Sequence, residues 1–151
     1  MKFIVTAELG RLSRWLRILG FDTVLEKDKR YLVIRSLREE RVIITRDSKM
    51  SRFTGTRIIK INSDFVEEQV VQLVKELDVK IDKSALFTRC VLCNERLKEA
   101  EKPSVKNDVP AYVFETQGLF MRCPKCKKAY WHGTHWALVN KFLKKTKLCL
   151  L

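Results

Sequence analysis

Four cysteines carry the clearest chemistry in this chain. Cys90 and Cys93 form a C-x-x-C within RCVLCN, and Cys123 and Cys126 form a second within RCPKC. Each C-x-x-C folds back into a knuckle that turns both sulfurs to one side. Two knuckles therefore supply the four thiolates of a tetrahedral zinc site, with Zn–S bonds of about 2.3 Å. The 29 residues between Cys93 and Cys123 exceed the usual spacing and imply an insertion in a zinc ribbon. The competing readings are two disulfides or four buried thiols. The odd cysteine, Cys149, has no partner nearby and reads as a small buried hydrophobe on the last turn. His132 and His135 are superfluous as zinc ligands. They stand as contacts for a phosphate or base beside Trp131 and Trp136, unless those tryptophans pack the ribbon against the rest of the chain.

Carboxylates are the second chemical set. Sites in parallel α/β sheets form beyond the carboxyl ends of the strands. Glu8 follows the first strand candidate, Glu26 and Asp28 the second, Asp47 the third and Asp64 the fourth. Acids converging on one sheet edge are what a Mg²⁺- or Mn²⁺-dependent phosphodiesterase needs to clamp attacking and leaving oxygens. Asp28 also suits a turn and Asp64 a helix cap. Asp47, directly after a buried strand, has no such simple alternative.

The elements that must position these groups alternate. Phe3–Ala7, Thr23–Glu26, Val42–Thr45 and Arg57–Ile61 read as strands. Between them, Leu9–Leu19, Tyr31–Glu40 and Asp64–Leu77 show helical period. Leu12, Trp15, Leu16 and Leu19 form the apolar face of the first helix, while Arg11, Arg14 and Arg17 fall on the other. Leu32, Ile34 and Leu37 give the second helix its apolar positions. Asp64 and Glu67 stand in capping-box relation at the start of the third. Strand–helix alternation predicts a parallel sheet covered on both faces. The alternation stops around Val79–Phe87, which places an α/β domain at residues 1–85. Residues 86–151 then form a zinc ribbon, with an insertion over Lys98–Gln117, and a basic C-terminal helix over Thr134–Lys147.

Charge narrows the partners. The 151 residues carry a net charge of +13. Residues 1–85 hold 18 basic and 13 acidic side chains, and residues 86–151 hold 13 and 5, so the excess is larger in the smaller part. Such a balance points to nucleic acid before any membrane surface. The basic surface would comprise Arg11, Arg14, Arg17 and Arg46 on the first part. On the second it would comprise Lys125, Lys127 and Lys128 beside a knuckle, and Lys141, Lys144 and Lys145 along the last helix. No apolar run approaches the ~20 residues of a membrane span. The charged N-terminus does not read as a signal peptide. A reducing, cytoplasmic setting is expected.

The ordered segments LGRLSRWLRILGFDT, RVIITRD, RCVLCN, RCPKCKKAYW and HGTHW resemble the Mut-seven C-terminal ribonuclease family over nearly the whole chain. That resemblance implies a PIN-like three-layer α/β/α domain followed by a four-cysteine zinc ribbon. It also implies metal-dependent RNA cleavage by a cluster of acids. The chain departs from the family at that cluster. Thr6 stands where typical members carry an aspartate, and a hydroxyl does not replace an anionic metal ligand. The second acidic position falls on Asp28 or Lys29. Asp47 is retained. Glu8, two residues after Thr6, would face the same side of an extended chain.

Three functions remain. The first is an RNA-binding protein on a nuclease-derived fold with an eroded site, taking structured RNA such as ribosomal RNA and so associating with the ribosome. The second is an active Mg²⁺/Mn²⁺-dependent endoribonuclease using Asp47, Asp28 and Glu8. The third is a regulatory module that binds an acidic protein. Thr6 ranks the first above the second, and a steep salt dependence of binding would separate the first from the third.

Overall fold

The computed structural model describes residues 1–52 and 55–148. The chain opens with β1 (Lys2–Thr6), a 3-10 turn over Ala7–Leu9 and helix α1 (Gly10–Ile18). It continues through β2 (Asp22–Glu26), α2 (Lys29–Glu39), β3 (Val42–Thr45), β4 (Ile58–Lys60) and α3 (Val66–Leu77). The four strands form one parallel sheet in the order β2-β1-β3-β4. Central strands of such a sheet are covered on both faces and so carry continuous apolar runs. In β1, Phe3 and Val5 pack with Leu12 and Leu16 of α1 and with Val70 and Leu73 of α3, while Ile4 faces Leu32 of α2. A fully buried side chain of this size contributes roughly 1.5–3 kcal/mol.

A smaller antiparallel sheet follows, built from β5 (Lys98–Ala100), β6 (Phe120–Arg122) and β7 (Ala129–Trp131) in the order β5-β6-β7. The expected insertion supplies β5 and the short helix α4 (Ala111–Thr116). It closes a second core of Val105, Val109, Val113, Phe120 and Ala129, with Trp131 packed against it. Helix α5 (Thr134–Thr146) then returns to the first core. Its Phe142 stacks on Trp15 of α1 with ring centroids 3.9 Å apart, and Trp136 lies 4.7 Å from Phe87. Helices α1, α3 and α5 thus cover one face of the sheet and α2 the other, giving the three layers expected. Among the described residues, no helix is long and apolar enough to cross a membrane. Cys149 lies outside the described residues.

Local differences from the sequence expectation have physical causes. Helix α3 begins at Val66, with Phe65 as its cap residue and no side-chain cap. Asp64 pairs with Arg46 instead of capping, and Ser63 accepts the Phe65 N–H. Ile34 and Leu37 do not join the core; they are 61% and 54% exposed, because α2 turns only its Leu32 side to the sheet. Gly20 ends the first helical segment at φ +92, where a Cβ would lie 2.4 Å from the Ala85 carbonyl oxygen. Only glycine allows that approach.

Connections fix where a site can form. From β1 the chain crosses to β2 on one side, and from β3 it moves to β4 on the other. The crevice between such diverging connections opens at the carboxyl ends of β1 and β3. Those ends are Thr6 and Thr45.

Candidate metal centre and sheet-edge site

The two knuckles repeat one local geometry. The Cys90 N–H donates to the Glu95 carbonyl and the Asn94 N–H to the Cys90 carbonyl, at 2.8 and 2.9 Å. In the second knuckle the Cys123 N–H donates to the Lys128 carbonyl and the Lys127 N–H to the Cys123 carbonyl, both at 3.0 Å. Asn94 and Lys127 occupy equivalent places, four residues after the first cysteine, at φ 67 and φ 64. The left-handed residue tightens each turn until both sulfurs of a pair face inward. Asparagine favours this conformation and was a readable signal; lysine does not and gives none. Backbone N–H groups of Cys93 and Cys126 point at the sulfurs of Cys90 and Cys123, at 3.4 and 3.5 Å. Such donors stabilise thiolates.

The sulfurs of Cys90, Cys93, Cys123 and Cys126 all lie within 4.8 Å of one another. Cys90 and Cys126 are 3.7 Å apart. A tetrahedron with Zn–S bonds of about 2.3 Å has edges of about 3.8 Å, so the cluster fits zinc. The four can bind a metal such as zinc, and cysteine-only donors select a soft or borderline ion. Burial resists ionisation of Cys90, but hydrogen bonds from Tyr130 and from the Cys93 and Leu92 N–H groups outweigh it and lower its pKa. Burial and the neighbouring sulfurs push Cys93 upward. A divalent cation removes that conflict by neutralising the shared charge. Tyr130 was not anticipated as part of this centre; its hydroxyl lies 3.1 Å from the Cys90 sulfur.

A dense polar bolt joins the first knuckle to the parallel sheet. Arg17, 7% exposed, donates to the carbonyls of Thr23, Val91 and Leu92 at 2.9, 2.8 and 3.0 Å. Asn94 accepts from the Thr23 N–H and donates to Asp22, both at 2.8 Å. Asp22 also receives Arg41 at 2.6 Å. This corrects the expectation for Arg17, which the helical spacing placed on a solvated phosphate-binding face. The knuckle covers that turn of α1 and converts its arginine into a buried tie.

At the sheet edge, the Thr6 hydroxyl donates to Glu8 Oε1 at 2.5 Å and lies 3.3 Å from the Thr45 hydroxyl. Glu8 reaches this point through the 3-10 turn, not by extension of β1. Asp47 accepts from the Lys49 N–H at 2.9 Å, and its other oxygen receives the Lys29 ammonium at 2.9 Å. Lys29, the first residue of α2, is thus the group that α2 brings to Asp47. Asp28 caps the same helix: it accepts the Arg30 N–H at 3.0 Å and holds the Arg30 guanidinium at 2.6 Å. The Lys29 bond comes first in holding the Asp47 carboxyl below its ordinary value, followed by the Lys49 N–H. For Glu8, burial raises the pKa, yet the Thr6 hydroxyl, backbone N–H groups and Lys29 bring it down. Both acids are anions at neutral pH, with one lysine serving both.

The remaining basic residues spread over the surface. Arg11, Arg14, Lys125, Lys127, Lys128, Lys141, Lys144 and Lys145 are exposed. Lys145 pairs with Glu67 at 2.9 Å, and Arg46 is taken by Asp64. Lys128 lies over the Tyr130 ring, 5.5 Å from its centroid. His132 stacks on Trp136 at 4.3 Å, so that pair belongs to the seam around Phe87.

A comparison with curated proteins returns no match. The model of the Mut7-C RNAse domain matches residues 1–143. That span takes in the parallel sheet, both knuckles and most of α5, so the ribbon lies within the matched unit, and the chain belongs to the Mut7-C RNAse domain family.

Proposed function

We propose that this protein binds RNA on a ribonuclease-type fold in whose acidic site Asp47 is held by the chain's own lysine. One observation carries this reading: Lys29 is bonded to Asp47 at 2.9 Å beside Thr6. A divalent cation at this edge would need carboxylates free to accept it. Here a hydroxyl occupies the first position, and an ammonium stands against the acid at the third. The donor set does not fit a catalytic Mg²⁺ or Mn²⁺. The net charge of +13 remains, and it suits a polyanion held by many phosphate contacts. Structured RNA is the target class this favours, with ribosomal RNA the abundant example and the ribosome the corresponding partner, in a cytoplasmic setting. The four-cysteine centre takes zinc as a structural ion.

The test is Mn²⁺-dependent cleavage of a generic RNA, set beside RNA binding measured as a function of salt. The expected result is salt-sensitive binding without cleavage that depends on Asp47. Robust cleavage abolished by Asp47→Asn would establish the second reading, an endoribonuclease. One observation favours that reading: the Thr6 hydroxyl draws Glu8 to the end of β1, so a carboxylate does stand near the expected position.

A further inference from the structure

A groove of 560 Å³ runs along α1 between the parallel sheet and the first knuckle. It falls within the roughly 300–1,000 Å³ of ligand-sized clefts. Its walls are Arg11, Arg14 and Arg17 of α1, Leu25 of β2, and Val91 and Leu92 at the tip of the knuckle. From Gly10 to Arg17 the helix rises about 10 Å. β2 is an edge strand of the sheet, so among the described residues no further strand closes this side.

Two chemistries line it. Arg11 and Arg14 are exposed, and among the described residues neither has a hydrogen bond or ion pair. Glu67, an acid whose charge Arg11 feels, already holds Lys145 at 2.9 Å. Arg17 is committed to the Thr23, Val91 and Leu92 carbonyls, so it shapes the wall and offers no contact. Opposite the arginines, Leu92 is 52% exposed between the two cysteines of the knuckle. An exposed leucine on a rigid turn, facing unpaired guanidiniums, matches a ligand that is anionic on one side and apolar on the other.

We propose that this groove takes a single-stranded stretch of RNA, with phosphates on Arg11 and Arg14 and an unstacked base or its ribose against Leu92 and Leu25. The proposal deepens the RNA-binding reading and rests on it. A duplex hides its base faces and has no use for the leucines, whereas a single strand presents both surfaces. The first knuckle is thus one wall of the binding groove, and Arg17 is its positioning residue.

The experiment uses full-length, zinc-loaded protein and a labelled, unstructured RNA of about ten nucleotides, within the usual 4–16 nucleotide site sizes. The same RNA annealed to its complement is the second probe. Arg11→Gln with Arg14→Gln should weaken single-strand binding about tenfold and flatten its salt slope by roughly 1.4, about 0.7 per lost contact. Leu92→Ser should weaken the single strand several-fold, leaving the salt slope and duplex binding unchanged. Gly10→Glu gives an independent block. Gly10 has φ −57, and beyond its chain neighbours and its own helix backbone no atom lies within 4 Å of the place a Cβ would take, so the helix tolerates the change while a negative charge enters the groove. Zinc content and melting temperature should stay at wild-type values in all three. If wild-type protein binds RNA but the arginine and Gly10 variants bind as well as it does, the strand lies elsewhere and only the groove falls. If duplex and single strand bind equally and Leu92→Ser is neutral, single-strand selection is overturned. If wild-type protein binds neither RNA at low salt, the RNA reading itself fails and the groove with it.

Discussion

Replacing Arg17 by methionine separates two roles that the same residue would have on a helical wheel and in the folded chain. Methionine keeps the unbranched stem and helix propensity of the site while removing the guanidinium. As a solvated phosphate contact, Arg17 could be lost at within about 0.5 kcal/mol of stability. In the structure it is 7% exposed and donates three hydrogen bonds to backbone carbonyls. Hydrogen bonds to charged groups contribute roughly 1.5–3 kcal/mol each, but the guanidinium's own burial cost offsets part of the sum. A net loss of about 3–5 kcal/mol is expected, a large share of the roughly 5–15 kcal/mol typical of a whole domain. Two of the lost bonds end on Val91 and Leu92, between the first pair of cysteines. Zinc retention should therefore weaken together with the fold. Urea unfolding followed by tryptophan fluorescence and by release of zinc to a chromogenic chelator would read both. Coincident transitions shifted to lower urea are expected, and Arg17→Lys should recover only part of the shift, since a point ammonium cannot reach three carbonyls at once. A methionine variant within about 1 kcal/mol of wild type, the range of an ordinary surface change, would refute the tie.

Other perturbations read the remaining parts. Purified protein should carry about one zinc per chain; because Asn94 and Arg17 join the knuckle to β2 and α1, chelation should lower the melting temperature of the parallel-sheet domain as well as the ribbon, and an unchanged melt would count against that coupling. Glu39 is held down to about 2 from 4.5, first by Arg41 and then, against burial, by Arg35. A depressed acid stabilises the fold at pH above its unfolded value and loses that contribution as pH falls from 4.5 toward 2. Glu39→Gln should flatten the stability–pH curve in that window, and an unaltered curve would remove Glu39 as its source. Thr6→Asp together with Lys29→Ala should raise Mn²⁺ affinity, measured by calorimetry, because it adds an anion and removes the competing cation; no gain over wild type would mean that the two residues do not control the edge. Converting Lys125, Lys127 and Lys128 to Ala should flatten the salt slope of RNA binding by roughly two units, about 0.7 for each phosphate contact, and an unchanged slope would leave those lysines as solubilising charge.

The parallel sheet was legible because its strands are continuous apolar runs and its helices carry a periodic stripe; both patterns are local and survive in a one-dimensional string. The cysteine pairs were legible for a related reason, since a C-x-x-C constrains two sulfurs within four residues. What the string could not express is which surfaces meet. The period of α1 places Arg17 opposite the leucines, and nothing local reveals that a knuckle more than 70 residues later covers that turn. The choice between Asp28 and Lys29 likewise rests on one helical start: a carboxylate at the cap is drawn to its own N–H groups, and the next side chain projects across the edge to Asp47. Phe142 and Trp15 are stacked although 127 positions separate them. The sequence by itself determined the strands and helices of the parallel-sheet part and the four cysteines that cluster. Tertiary packing decided which arginine is buried and which lysine pairs with Asp47, because burial and charge pairing depend on distances in space, and those are set only when distant segments close on a common core.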